Sequence, residues 1–168
     1  MPSPLEQHTQ RLLAYHEWAY RRLFEQVATL DDARYRADCG LFFGSLHGTL
    51  NHLAVGDRLW LARVRHEPAP FSRLDAEAAT DCSGLKHFIL AGAEAWRAEV
   101  ARYTDAQLLA PLEYRTVAGL PQQRQLLDII THVVNHGTHH RGQASAALTT
   151  MGQPAPVIDY IYATAELP

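Results

Sequence analysis

The sequence predicts an all-α protein, a four-helix bundle with a short C-terminal helix. Two observations carry that expectation. Four long stretches repeat apolar residues at helical spacing with polar residues between them. The breaks between those stretches fall at Asp31-Asp32, at Glu67-Pro68-Ala69-Pro70 and at Gly119-Leu120-Pro121. A third observation bounds the answer. At 168 residues, 47% of them hydrophobic, the chain suits a single domain over residues 1–168, with a core that needs neither metal nor disulfide staples.

The first helix is expected over about 5–27, where Leu12, Leu13, Ala19, Leu23, Phe24 and Val27 recur without an internal Gly or Pro. Leu30-Asp31-Asp32 then reads as an exit into a polar connection. A second helix over about 43–66 carries the stripe Leu46, Leu50, Leu53, Trp60 and Val64, and the paired prolines stop it. The third begins after Asp81-Cys82-Ser83-Gly84, with Asp81 or Ser83 as N-cap, and runs to about Tyr103. Helical periodicity then fails, and 112–117 reads as extended. After the turn at Gly119, the fourth helix is expected from about 122 to 150, stopped by Met151-Gly152 with Pro154 beyond. One short helix over 157–163 closes the chain. No internal repeat or low-complexity tract divides it.

Composition excludes several classes of function. Fifteen Lys+Arg against eighteen Asp+Glu give a net charge of −3 with no basic stripe, which argues against nucleic acid. Apolar runs fall far short of the ~20 residues a membrane span requires. The N-terminal MPSPLEQHTQR lacks the apolar core of a secretion signal, so the expected location is the cytoplasm. Cys39 and Cys82 fit that compartment, being too few for a disulfide framework and without a CxxC pair.

Histidine stands out, with ten in the chain. Residues four apart on a helix are only about 40° apart around its axis, so His132, His136 and His140 stack on one side of the fourth helix. Ile129, Val133, Ala144 and Ala147 share that side, so it looks inward. Neutral imidazoles there need a hydrogen-bond partner or a metal. Two at this spacing can hold a cation from one wall, as paired helical histidines do in zinc peptidases. A further ligand has to come from another helix. His52 leads on spacing, because Gly48 and Gly56 leave room on either side of it; His47 and His16 are the other candidates. His139 points away and is expected to be exposed. No HExxH glutamate base, GxSxG elbow or phosphate loop accompanies the histidines. Asp57 is expected either to accept from a ligating histidine or to pair with an arginine such as Arg141.

The run Asn135-His136-Gly137-Thr138-His139-His140-Arg141-Gly142-Gln143 resembles the NHxxHHRGQ signature of the DinB/YfiT-like superfamily, the damage-inducible family of metal-dependent four-helix bundles. Leu50-Asn51-His52-Leu53 followed by Asp57-Arg58-Leu59-Trp60 is similar to that family's second helix, and the likeness extends over most of the chain. The resemblance implies one divalent metal on His52, His136 and His140, and a homodimer. His132 then becomes a pocket residue, with Asp57, His16, Arg141 and Gln143 around the centre. His16 and Tyr20 depart from the asparagines that relatives often carry there.

Three neutral histidines leave coordination positions for water or substrate, the layout of a catalytic site and unlike a closed structural one. Imidazole suits zinc, nickel, copper and iron, and zinc or nickel is the expected ion. Such a cation brings bound water to a pKa of about 7 or holds a thiol as thiolate. The resemblance favours a metal-dependent enzyme acting on a small molecule, of thiol S-transferase or hydrolase type, with a low-molecular-weight thiol as partner. The alternative is a stress-associated metal-binding protein whose cation only stabilises the bundle. A closed fourth ligand and a large loss of thermal stability on chelation would mark that second class.

Overall fold

The computed structural model describes residues 1–167. The first helix, α1 (Pro4–Val27), starts at a capping box. The Ser3 hydroxyl accepts from Glu6 N–H, the Glu6 carboxylate accepts from Ser3 N–H, and Pro4 occupies the first turn. A short α2 (Asp32–Arg36), capped by Asp31, replaces the expected polar connection and buries Tyr35. Five residues are too few to display an apolar period. The next long helix, α3 (Leu46–Val64), begins later than expected because the Ser45 hydroxyl caps it and residues 41–44 form a turn closed by the Leu41–Gly44 bridge. At its other end His66 sits at φ 55, and Glu67 N–H bonds Ala62 O at 2.8 Å, a left-handed cap built without glycine.

Asp81, not Ser83, caps α4 (Cys82–Val100), its carboxylate accepting from Gly84 N–H at 2.8 Å. A single-turn α5 (Asp105–Leu108) leads into strands β1 (Pro111–Arg115) and β2 (Pro121–Gln125), paired antiparallel from Pro111 opposite Gln125 to Arg115 opposite Pro121. The extended stretch was expected, but its partner was not. Residues 122–125, assigned above to the fourth helix, belong to the hairpin, and α6 (Leu126–Thr150) begins only after them. The segment Pro121–Gln125 is polar and mostly exposed, with no period of either kind to mark it. Gly152 at φ 73 ends α6 as expected, and α7 (Tyr160–Ala163) is shorter than 157–163.

Helix α1 packs on α4 and α6, and α3 packs on the same two, so α1 stands diagonally across the bundle from α3. The hairpin spans α3 and α6, and α7 lies on α1. Apolar burial divides into two clusters along the bundle axis, one around Leu13, Trp96 and Ile130, the other around Phe24, Leu50 and Leu148. Between them lies a polar layer. In α1 it holds His16, in α3 Asp57, and in α6 the turn from Gly137 to Arg141, all buried except Thr138 and His139. No described helix is long and apolar enough to cross a membrane.

Candidate metal centre

The adjacency of α3 and α6 brings His52 opposite His136 and His140, and one ring nitrogen from each lies within 4.8 Å of the other two. His52 and His140 are buried and His136 half-buried. Two nitrogens each about 2.0–2.1 Å from one cation stand about 2.9–3.4 Å apart at neighbouring coordination positions. His52 Nε2 and His136 Nε2 are 3.0 Å apart. The donor set fits a borderline-soft divalent ion. Among the described residues no fourth His, Cys, Asp or Glu joins the cluster.

Outer hydrogen bonds set which nitrogens face inward. His52 Nδ1–H donates to Leu74 O at 2.9 Å, and His140 Nδ1–H donates to Gln143 Oε1 at 2.7 Å. Both rings therefore keep an Nε2 lone pair for the centre, the arrangement that orients ligating histidines. His52 Nε2 being an acceptor, His136 Nε2–H donates to it in the metal-free molecule; to ligate through Nε2, His136 would carry its proton on Nδ1 instead. The gap beside His52 is occupied: a Cβ on Gly56 would lie 3.3 Å from His136 Cε1, and the Phe43 carbonyl fills the space at Gly48. The Phe43 ring stacks on His52 at 3.9 Å between centroids.

Burial holds all three imidazoles below their ordinary pKa, and His136, crowded also by His140 and His52, is pushed down to about 4. The sign for stability follows. The unfolded chain titrates His136 near 6.5 and the folded one near 4, so the unfolded chain binds more protons across that window. Metal-free protein should lose on the order of 2 kcal/mol as pH falls from 6.5 to 4. Denaturant unfolding at the two ends of the window measures it, with a smaller loss expected in His136→Ala. Equal losses in both proteins would contradict the assignment.

Behind the cluster, Asp57 takes neither expected partner directly. Its Oδ2 accepts from His16 Nε2–H at 3.0 Å and from Tyr20 O–H at 3.2 Å. Arg141, fully buried, donates through Nη1 to His16 Nδ1 at 3.2 Å and through Nη2 to Thr138 Oγ1. Neutral His16 thus bridges a buried anion and a buried cation, and burial keeps its pKa low against the pull of Asp57. Burial likewise holds the Tyr20 hydroxyl well above its usual range. Sequence reasoning did not single out Tyr20 as a partner of Asp57; its position one turn after His16 is the signal that could have found it.

This packing leaves no room at residue 137. A Cβ there would lie 2.5 Å from His16 Cε1 and 2.6 Å from Arg141 Nη1. Gly137→Ala should cost about 2–3 kcal/mol through overpacking. Gly142→Ala, with nothing within 4 Å of its Cβ, should be neutral or stabilising by up to about 1 kcal/mol. Thermal melts of the pair check this, and equal midpoints would contradict the close approach.

Other candidates lie outside the cluster. His47 Nε2 donates to Glu77 Oε1 at 2.7 Å, on the flank away from His52 Nε2. His132 is exposed, stacked on His136 and edge-on to Trp60. A groove of about 610 Å³ lies beside His52, walled by Phe42, Phe43, His47 and Leu74; Phe43 stacks on the His52 ring and Leu74 O accepts from its Nδ1–H, and none of the three clustered histidines lines the groove. Sequence reasoning missed Phe43 and Leu74, which come from the loops flanking α3.

Fold and site together define a helical bundle whose core carries a cluster of three histidines able to hold a metal ion. The model of the DinB family matches residues 5–166, and the chain belongs to that family. It is similar to Protein DinB of Bacillus subtilis (strain 168), at 24% identity over 156 residues, covering 89% of this chain and 90% of that one. It also resembles the crystal structure of a DinB-like protein from Bacillus cereus ATCC 10987. That likeness has a TM-score of 0.63 at 15% identity, covers 83% of this chain and 90% of the other, and concerns the fold alone.

Proposed function

We propose that the protein is a metal-dependent enzyme acting on a small molecule, with one divalent transition ion, zinc or nickel, on His52, His136 and His140. The reaction is of thiol S-transferase or hydrolase type. The observation that carries this reading is the convergence of three imidazole nitrogens with no fourth protein donor in the cluster among the described residues. When bound, the ion supplies Lewis-acid chemistry, lowering the pKa of a thiol or water held beside it. The chain supplies the rest. Leu74 O and Gln143 Oε1 hold two imidazoles in the ligating tautomer, and burial keeps all three neutral at physiological pH. Phe43 shields one face of His52 from water. The adjoining groove has a volume in the range of small-molecule sites.

The test is turnover of electrophilic substrates with a panel of low-molecular-weight thiols, using zinc- or nickel-loaded protein, chelated protein and His140→Ala. Metal-dependent conversion that His140→Ala abolishes is the expected result. Metal uptake without turnover of any substrate, together with a large drop in melting temperature on chelation, would favour a purely structural cation instead. A homodimer is part of the same proposal, and sedimentation of the purified chain tests it.

A further inference from the structure

His139 lies on the exposed side of α6, beside one candidate ligand, and the function proposed above gives it no part. Its Nε2 accepts a hydrogen bond from the Gln143 side-chain NH₂ at 3.2 Å. The other end of the same amide, Oε1, accepts the His140 Nδ1–H at 2.7 Å. A carboxamide is two-ended, its oxygen only accepting and its nitrogen only donating. Whichever end residue 139 draws, His140 meets the opposite one. An acceptor at 139 draws the NH₂ and leaves the carbonyl for His140. His140 then carries its proton on Nδ1 and keeps the Nε2 lone pair aimed at His52 and His136.

We infer that His139 is a positioning residue which, through Gln143, sets the tautomer of His140 and with it the affinity of the three-histidine cluster for a cation. The three residues stand at helical spacings of three and four, so α6 alone builds the chain of contacts. A lysine at 139 offers only donors, which would turn the Gln143 carbonyl outward and present NH₂ to His140 Nδ1. The proton would then move to Nε2, and the ring could no longer ligate from that side. A glutamate at 143 accepts with both oxygens and makes the identity of residue 139 immaterial.

The inference rests on the metal reading, and the experiment separates the two. His139→Lys, Gln143→Glu and the double variant are compared with wild type. ¹⁵N-edited NMR of the histidine rings in metal-free protein reads the tautomer of His140. Cobalt(II) titration reads affinity. His139→Lys is expected to move the His140 proton from Nδ1 to Nε2 and to weaken cobalt binding about 10- to 100-fold. In the Gln143→Glu background the same substitution should leave the tautomer unchanged and the affinity within about twofold. An Nδ1 proton retained in His139→Lys overturns the inference. So does an equal loss of affinity in both backgrounds, which is the signature of an added charge acting through space. If wild-type protein takes up no cobalt, the metal reading falls, while the tautomer measurement still decides whether residue 139 governs His140.

Discussion

His136→Ala should lower the affinity for cobalt or zinc by at least about 100-fold while the bundle stays folded. The magnitude follows from a comparison. Losing an outer partner of a ligating histidine costs about 10–100-fold, and losing the ligand itself costs more. His136 is also central to the cluster, its Nε2 lying 3.0 Å from that of His52 and its ring 4.6 Å from that of His140 between centroids. The fold should survive, because the ring is only half-buried and its contacts are with the neighbouring histidines and Gly56, outside the two apolar clusters. His140→Ala should behave alike. His47→Ala serves as control, since His47 bonds Glu77 outside the cluster. Metal content after dialysis, calorimetric titration and circular dichroism provide the readouts. Full occupancy retained in both His136→Ala and His140→Ala would reject the site. The same affinity sets a second observable: at a free cation concentration of 100 times Kd, the metal should stabilise wild type by about 2.7 kcal/mol, and the variant by far less.

What was legible in the sequence, and what was not, divides by the range of the interaction. The four long helices follow from local periodicity, and two of their ends from Asp81 and Gly152, whose capping acts within one turn. The stacking of His136 and His140 is a property of one helix and needed no tertiary knowledge. The choice of His52 over His47 was nearly legible. The open space expected beside Gly48 and Gly56 is not there: Phe43 and His136 fill it, which only the fold shows. Strand β2 was not legible, because Gln122 to Gln125 have no apolar alternation and are extended only through pairing with β1. Leu74 was hidden for a related reason. Its carbonyl reaches His52 from a long connection that Asn51 anchors, Oδ1 accepting from Ala78 and Ala79 N–H. Asp57 lay between two expected partners and found a third, since helical spacing within α3 says nothing about which residue of α1 faces it.

Arg141→Met should destabilise the protein by about 3–5 kcal/mol, a large share of the ~5–15 kcal/mol that holds a domain folded. Arg141 is fully exposed to the low dielectric of the interior, with no surface at all in contact with water. Its removal strands Asp57, itself buried, with only the neutral donors His16 and Tyr20 on the carboxylate. Asp57→Leu should be similarly costly for the mirror-image reason. The double variant Asp57→Leu/Arg141→Met should recover much of the loss, because it removes both charges and returns the layer to apolar packing between the two clusters. Denaturant unfolding of the four proteins gives the coupling directly, and strictly additive losses would contradict a bridged pair. Cobalt affinity of the double variant then assigns the layer its purpose. An apolar layer would stabilise the bundle at least as well, so its polar content in this chain needs a reason beyond folding. Arg141 directly follows His140, and Gly137 directly follows His136, so the contacts of Arg141 and Gly137 with His16 fix the rotation of α6 against α1. If the double variant folds but binds cobalt weakly, that rotation is what aims His136 and His140 at His52; unchanged affinity would leave the layer a role in folding specificity alone.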